Sequence, residues 1–325
     1  MLWSGWQSDI AEGIADSGKV PWVFVFLMAV WYHTLANNVE SWYAGIVNYF
    51  GPDYGPAMAG PVMAWTFHMI FYHSHSAIYA YLDSHDGPWK KYKLTTTDKM
   101  TWSQMLPNVV KNQCIFLVSG VAAFFASDGR GWDGSKPWSE VPWNVFFFDM
   151  LSMYIVYEAI FYTNHRILHI TKLSVPFMKK PVNLYALFHK EHHSTYASVG
   201  VSGLYMGSID CVLTQTLPQV VAPALFDFHP FTLWLFALIG SLNAVHTHSG
   251  YDLWGMSAPH GHELHHSRYK VNYGTGFLDN LLNTKLYEHE VVREGYGLGG
   301  RLVKDVEKAK AYKAKVAAQQ SAKAS

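Results

Sequence analysis

Four clusters of histidine dominate the chemistry that this sequence offers. The clusters are His165 and His169; His189, His192 and His193; His246 and His248; and His262, His265 and His266. Residues three and four positions apart lie on the same face of a helix, so the i, i+3, i+4 spacing of two clusters can offer several imidazole nitrogens to one metal centre. Imidazole ligands suit iron, copper, zinc and nickel. The spacing therefore predicts a metal site.

The number of these histidines exceeds the needs of a single zinc ion. A structural zinc site is closed by four ligands, and a catalytic zinc site uses three from the protein. Two ions with about four nitrogens each fit better and leave open positions of the kind that dioxygen activation requires. Cys114 and Cys211 lie in apolar stretches and provide no thiolate site. The ligands must be neutral imidazoles, so we expect metal affinity to fall below about pH 6.5.

The remaining histidines have more ordinary interpretations. We expect a packing role for four of them, which are His33, His68, His229 and His289. We expect three others, His73, His75 and His85, to lie at the membrane interface.

The composition indicates a membrane protein. Of the 325 residues, 50% are hydrophobic and only 15% are charged, whereas soluble chains carry about 25% charged residues. The 24 basic and 24 acidic side chains give a formal net charge of zero. This balance, without a basic stripe, argues against a nucleic-acid partner.

Apolar stretches predict an all-α integral membrane protein with four or more transmembrane helices and a cytoplasmic, histidine-rich, metal-binding cap. A spanning helix needs about 20 mostly apolar residues. The four clear candidates lie at 21–39, 55–82, 109–127 and 141–162. A weaker region at 199–244 is interpreted as a hairpin of two helices, spanning or re-entrant.

Basic residues in the loops predict the orientation. Lys and Arg are concentrated in 83–106, in 165–193 and from Arg268 onward, and are absent from 37–54. The positive-inside rule then places both termini and every histidine-rich segment on the cytoplasmic face. The N-terminus does not read as a cleaved signal peptide, so we expect it to remain as an anchor.

We expect three regions along the chain. Residues 1–106 form N-terminal membrane anchor helices and a cytoplasmic loop, 107–290 form the catalytic domain, and 291–325 form a basic C-terminal tail. The end of the tail, Lys304 to Ser325, is expected to be solvated and partly helical, without chemistry.

The order of the motifs resembles the fatty acid hydroxylase and sterol desaturase superfamily of integral-membrane di-iron enzymes. The motifs are Phe161-Tyr-x-x-His165-Arg-x-x-His169, Leu184-Tyr-x-x-Phe-His189-Lys-x-His192-His193, His248-Ser-Gly-Tyr-Asp252, His262-x-x-His265-His266 and Asn272-Tyr-Gly274. The resemblance spans about 89 to 284. It includes Lys91-Tyr-Lys93 and Asn112-Gln113, which are similar to segments preceding the catalytic part of C-4 methylsterol oxidases.

The resemblance implies which residues bind metal. The implied ligands are His165, His169, His189, His192, His193, His248, His262, His265 and His266, with His246 as an additional candidate. Side chains that orient such ligands commonly lie just behind them. Candidates for that role are Glu191, Asp252, Glu263, Asn272 and Asp279.

The resemblance also implies an activity. Two iron ions and O2 would oxidise a lipid C–H bond, giving hydroxylation or desaturation. Because the sequence has no flavin or nicotinamide fingerprint, the electrons would come from an external donor, typically cytochrome b5 and its NAD(P)H-dependent reductase. The implied location is the endoplasmic reticulum, with the site facing the cytoplasm.

Several substrates and functions remain open. His248-Ser-Gly-Tyr-Asp252 favours a sterol and C-4 methyl oxidation, while sterol C-5 desaturation and fatty-acyl or sphingoid hydroxylation are alternatives. Three departures from the family pattern bear on the subfamily: a long stretch between His169 and Leu184, Thr95 in place of a common glutamine, and Asn283-Thr284 in place of Gly-Thr. The non-enzyme alternatives are a histidine-rich metal transporter and a bis-imidazole haem electron carrier.

Overall fold

Helices dominate the fold. The computed structural model describes residues 22–93, 100–126, 137–226, 228–251, 259–286, 291–294 and 301–304. Its four long helices are α1 (Trp22–Phe50), α2 (Gly55–Ser84), α3 (Trp102–Ala126) and α4 (Trp143–Leu168). The shorter α-helices that follow are α5 (Leu217–Leu225), α6 (Pro230–Thr247), α7 (Pro259–Arg268) and α8 (Phe277–Leu281).

A small β-hairpin departs from the all-α prediction. Strand β1 (Val291–Glu294) pairs in antiparallel register with β2 (Arg301–Lys304), inside the region expected to be a basic tail. Val291, Val292, Leu302 and Val303 give these short strands the β-branched and aliphatic residues that favour extended backbone. The mostly helical class is confirmed.

The connection between α4 and α5 is helical but irregular. Its π-helical stretches are Tyr185–His189 and Cys211–Thr216, its 3₁₀ turns are His192–Ser194 and Gly200–Leu204, and Ser208–Asp210 is one α-helical turn. Two further 3₁₀ turns lie at Pro88–Tyr92 and Trp138–Glu140. π-Helical turns occur frequently at functional sites, and both of these stretches carry or adjoin residues of the histidine site. The first half of the predicted 199–244 hairpin is thus mixed in type, while its second half is the regular helix α6.

Helix α2 is at the centre of the packing and contacts α1, α3 and α6. Phe67 and Phe71 of α2 are buried against Phe231 and Trp234 of α6, and the Phe67 and Trp234 ring centroids are 5.6 Å apart. Aromatic pairs in this distance range add stabilisation beyond the area that they bury. This core fixes α6, which carries His248 at its C-terminal end.

Two helices within the described part of the chain, α3 and α4, are long and apolar enough to cross a membrane by length and composition. The outward face of α4 supports this indication, since Trp143, Phe147, Phe148, Leu151 and Ile155 are each more than half exposed. A large contiguous apolar surface is unusual on a soluble monomer. These features indicate a membrane protein.

Lys93 joins three separate parts of the chain. Its buried ammonium donates to the Asp83 carboxylate at 2.7 Å, to the Ser198 carbonyl at 2.7 Å and to the Ser249 carbonyl at 2.8 Å. The same ammonium lies 4.3 Å from the centroid of the Tyr251 ring. The Lys91-Tyr-Lys93 segment therefore helps to hold the segments that contain His193 and His248 near each other.

We expect Lys93→Met to destabilise the protein by about 3 kcal/mol, because it leaves a partly buried carboxylate and two buried carbonyls without their cation. The measurement is thermal or denaturant unfolding of the purified protein in detergent. Lys172→Met, at an exposed position after α4, is the control and should behave like wild type. Equal stability of both variants would contradict the assigned role of Lys93.

Candidate metal centre

Nine of the ten predicted histidines converge into two groups. The five-histidine group contains His165, His169, His189, His193 and His265, and the four-histidine group contains His192, His248, His262 and His266. Within each group the nearest ring nitrogens all lie within 4.8 Å of one another. All nine rings except that of His262, which is partly exposed, are buried.

The two HxxHH motifs contribute to both groups. His189 and His193 belong to the five-histidine group while His192 belongs to the other, and His265 is separated in the same way from His262 and His266. The prediction that each motif presents its three rings to one centre is therefore wrong. The backbone explains part of the difference, because the 189–193 motif lies in consecutive π-helical and 3₁₀ turns.

The nitrogen distances match those of ligands around a cation. His193 Nε2 lies 3.1 Å from His189 Nε2, 3.2 Å from His169 Nε2 and 3.1 Å from His265 Nε2. One ring nitrogen offers either one proton or one lone pair, so hydrogen bonding cannot satisfy three such neighbours. Two ligands about 2.1 Å from one metal ion, at right angles, lie about 3 Å apart. The five-histidine group is thus suited to a cation.

The four-histidine group has the same spacing. His262 Nε2 lies 2.8 Å from His248 Nε2 and 2.9 Å from His266 Nε2. The 3₁₀ turn Gly200–Leu204 packs closely against this group, because a Cβ on Gly203 would lie 3.2 Å from His248 Nδ1 and 3.0 Å from the Ala244 carbonyl oxygen. Glycine at this position permits the close approach without displacing these neighbours.

Hydrogen bonds at Nδ1 orient most of the rings. Backbone carbonyls accept from five of them, in the pairs His165–Tyr273, His192–Tyr205, His248–Ala244, His265–Val271 and His266–Thr195, at 2.6 to 3.3 Å. A carbonyl can only accept, so each of these Nδ1 atoms carries the proton and each Nε2 presents its lone pair to the group. Such partners fix the tautomer and orientation of metal-binding imidazoles.

Asp210 is the residue behind the site that sequence reasoning missed. Its fully buried carboxylate accepts from His189 Nδ1 at 2.6 Å and from the Thr214 hydroxyl at 3.1 Å. Burial raises the pKa of Asp210 to about 6, so at neutral pH it is still mostly ionised. The only sequence signal was a lone acid in an apolar stretch, which is costly unless it has a partner.

Two further acids shape the loop that supplies the carbonyl for His165. Asp279 accepts from the backbone N–H groups of Tyr273 and Gly274 at 2.8 and 2.7 Å. Glu158 of α4 accepts from the Thr275 and Leu278 N–H groups at 2.9 and 3.1 Å.

Glycine at 274 is required for this arrangement, since an added Cβ would lie 2.6 Å from Glu158 Oε1. The Asn272-Tyr-Gly274 motif thus has a structural purpose. Asn283, where the family has glycine, adopts a left-handed φ of 56°, which asparagine tolerates better than most residues.

The other residues expected behind the ligands have different environments. Asn272 binds the carbonyls of Gly261 and Leu286 and so braces the start of α7. The Glu191 carboxylate accepts from Asn108 at the surface, and Glu263 is buried. Asp252 and Thr95 lie outside the described residues.

His246 lies in neither group, in contrast to its assignment as an additional ligand. Its Nδ1 is 2.6 Å from the Tyr79 hydroxyl. The helical geometry of α6 explains the difference, because residues two positions apart face opposite sides of a helix. His248 lies at the C-terminal end of the helix and belongs to the four-histidine group.

The histidines expected to pack or to lie at the interface have local partners. His68 contacts Ser241 and Gln113, and His229 caps α6 by accepting from the Phe231 N–H. His33 contacts Asn37, and His73 contacts Gln113. His75 stacks near Tyr79, His85 contacts Ser84, and His289 lies outside the described residues.

Burial keeps the ligand imidazoles neutral. It lowers the pKa of His189 and of His248 to about 3 and that of His192 to about 4, and for His192 and His248 charges on neighbouring histidines act in the same direction. These three rings are therefore deprotonated at pH 6.5, where the sequence predicted that protons would begin to compete with metal. The structure moves that competition to lower pH.

Comparison with known proteins agrees with the geometry. Residues 150–284 match the family model described as fatty acid hydroxylase, which confirms the predicted resemblance over this part of the chain. The matched range contains all nine histidines of the two groups. No solved structure shows significant similarity to the chain.

Three relatives illustrate the similarity. Fatty acid hydroxylase domain-containing protein 2 of Macaca fascicularis is 29% identical over 61% of this chain and 59% of its own length. A methylsterol monooxygenase of Aspergillus fumigatus is 25% identical over 79% of this chain and 86% of its own. Cholesterol 25-hydroxylase of Rattus norvegicus is 32% identical over 31% of this chain and 38% of its own. The chain spans about three fifths of the length of the first of these relatives.

We expect Asp210→Asn to weaken metal binding about 10- to 100-fold, because the amide keeps the shape but loses the charge that orients and polarises His189. The measurement is a chelator competition on the purified protein. Asp149→Asn is the matched control, because it removes the charge of another buried acid, in α4 and outside the two histidine groups. It should retain wild-type affinity. Unchanged affinity in Asp210→Asn would contradict this role.

We expect metal binding at pH 7 to release almost no protons from the folded protein. This expectation follows from the pKa values of about 3 to 4, since imidazoles that are already neutral at pH 7 release no proton when their lone pair binds a metal ion. Calorimetric titration in buffers of different ionisation enthalpy gives the number released. Release of two or more protons per ion would show that the rings are charged in the metal-free protein.

Proposed function

We propose that the protein is a membrane-bound, non-haem di-iron oxygenase that uses O2 to oxidise a C–H bond of a lipid. The observation that carries this proposal is the division of nine histidines, eight of them buried, into a group of five and a group of four, within the range that matches the fatty acid hydroxylase family model. All-nitrogen sites of this size fit iron better than the hard cations magnesium and calcium, which prefer oxygen ligands.

The residues present fit two ions. His193 Nε2 faces three other ring nitrogens, which only a central cation can reconcile. We propose that each group holds one iron ion, so that the nine histidines are both the metal ligands and the catalytic centre. When bound, the ions would supply the activation of O2. For hydroxylation the balance is one C–H bond, O2, two electrons and two protons, giving one alcohol and one water.

The chain itself contributes position and exclusion of water. Five backbone carbonyls and Asp210 hold the imidazoles as Nδ1–H tautomers, so the site needs little rearrangement to bind cations. Burial of the rings removes bulk water from the place where a reactive oxidant would form. The protein thereby directs oxidation to the substrate carbon.

A sterol is the proposed substrate, with C-4 methyl oxidation favoured. The support is the similarity to a methylsterol monooxygenase along most of both chains and, over a shorter range, to a cholesterol 25-hydroxylase. Sterol C-5 desaturation and fatty-acyl or sphingoid hydroxylation use the same chemistry and are outcomes of the test below.

The proposed membrane topology, location and electron donor follow from the same family resemblance. α1 and α2 would join α3 and α4 as spanning helices, giving the four or more spans of the sequence prediction, with the histidine cap on the cytoplasmic side of the endoplasmic reticulum. Electrons would come from cytochrome b5 and its NAD(P)H-dependent reductase. A metal transporter would need histidines along a path through the bilayer, whereas the nine rings here lie in two compact groups.

The proposal is tested by lipid profiling of cells that lack the protein and are complemented with wild type, His192→Ala or His33→Ala. We expect 4-methylated sterols to accumulate without the protein and to be cleared by wild type and by His33→Ala, whose ring is exposed and contacts Asn37. His192→Ala should fail and should bind less iron.

Two other outcomes are informative. Unchanged sterols with altered hydroxylated acyl or sphingoid lipids would keep the chemistry and overturn the substrate. Full rescue by His192→Ala would overturn the assignment of the site.

A further inference from the structure

We propose that a basic groove beside the five-histidine group is the docking surface for a small acidic electron-transfer protein. This inference rests on the proposed function, because it locates the entry point of the external electrons. We define the basic groove by its lining residues, which are Arg268, Lys270, Val271, Asn283, Thr284, Lys285 and Leu286.

The charge of the groove suits an acidic partner. Three of its seven lining residues are cationic and none is acidic, and the groove encloses about 310 Å³. Arg166 extends the positive charge, because it donates to the Tyr162 hydroxyl, which contacts Thr284. The nearby Asp279 is buried, and its oxygens accept from backbone N–H groups and from Thr284. The residues that line the groove therefore carry three positive charges and no negative charge.

The groove is also next to two members of the five-histidine group. The Val271 carbonyl in its wall accepts from His265 Nδ1 at 2.7 Å. Tyr269, between Arg268 and Lys270 in the sequence, is 37% exposed and its ring centroid lies 5.0 Å from that of His193. The Val271 carbonyl in the groove wall is thus in direct contact with one ring of the five-histidine group.

These two features together favour a protein over a small anion. A phosphate or carboxylate would need the cations alone, whereas an electron donor needs the cations and a short path to the metal centre. The donor's reduced centre would lose one electron in each encounter and the histidine site would gain it, so two encounters supply the two electrons of one hydroxylation. Complementary charges raise the rate of such encounters and make it sensitive to salt.

The test measures binding directly on the full-length protein in nanodiscs, with the acidic soluble domain of cytochrome b5 as the probe. The variant is Lys270→Glu with Lys285→Glu, and the matched control is Lys179→Glu with Lys180→Glu, which makes the same change of charge at exposed positions elsewhere. We expect the dissociation constant at low salt to rise about tenfold or more in the variant and less than twofold in the control. High salt should remove most of the difference.

A second measurement separates docking from damage to the site. Reduction of the iron-loaded variant by dithionite, followed by absorbance, should proceed at the wild-type rate, while reduction by the cytochrome domain should slow with the loss of binding. This readout requires no lipid substrate, so it stands or falls independently of the proposed substrate.

Three results would overturn the inference: equal binding by variant and wild type, an equal loss in the control, or displacement of the probe by millimolar inorganic phosphate. The last result would identify a small-anion site. If the double variant does not fold, Lys270→Gln with Lys285→Gln provides the same test, with a smaller expected loss of binding.

Discussion

The structure around the site depends on one constraint, which is that nine imidazoles packed closely together repel one another when charged and lose their hydration. Ring nitrogens about 3 Å apart cannot all be protonated, and cannot all be paired with one another by hydrogen bonds. Burial makes the rings neutral, and backbone carbonyls or the Asp210 carboxylate accept from the outer nitrogen of six of them. The carbonyls of Tyr273, Val271 and Thr195 serve that purpose. Of the accepting carbonyls, those of Thr195 and Tyr205 lie in the irregular segment between α4 and α5.

The site was predictable to the extent that its chemistry is local in the sequence. Histidine clustering pointed to a metal site, and the family resemblance named all nine members of the two groups. The partition into five and four was not predictable, since it depends on whether 185–194 is α-helical or a succession of π and 3₁₀ turns. His246 was assigned by proximity in the sequence, and the end of α6 separated it from His248.

The residues behind the ligands were harder to find, for a physical reason. Asp210 and Glu158 act across 21 and 117 positions of sequence, and an isolated acid in an apolar stretch carries no spacing that identifies its partner. The helices themselves were predictable from their apolar runs, with errors mainly at the ends. The β-hairpin at 291–304 was not, because two four-residue strands leave too short a pattern to separate from a charged tail.

The consecutive residues His192 and His193 belong to different groups, and this has a consequence for how such a site can change. A one-residue insertion or deletion anywhere between them and His189 would rotate ligands out of both groups at once. Neither group can therefore be adjusted, lost or acquired by itself through changes of length in this segment. A change of length in this segment therefore acts on both groups together.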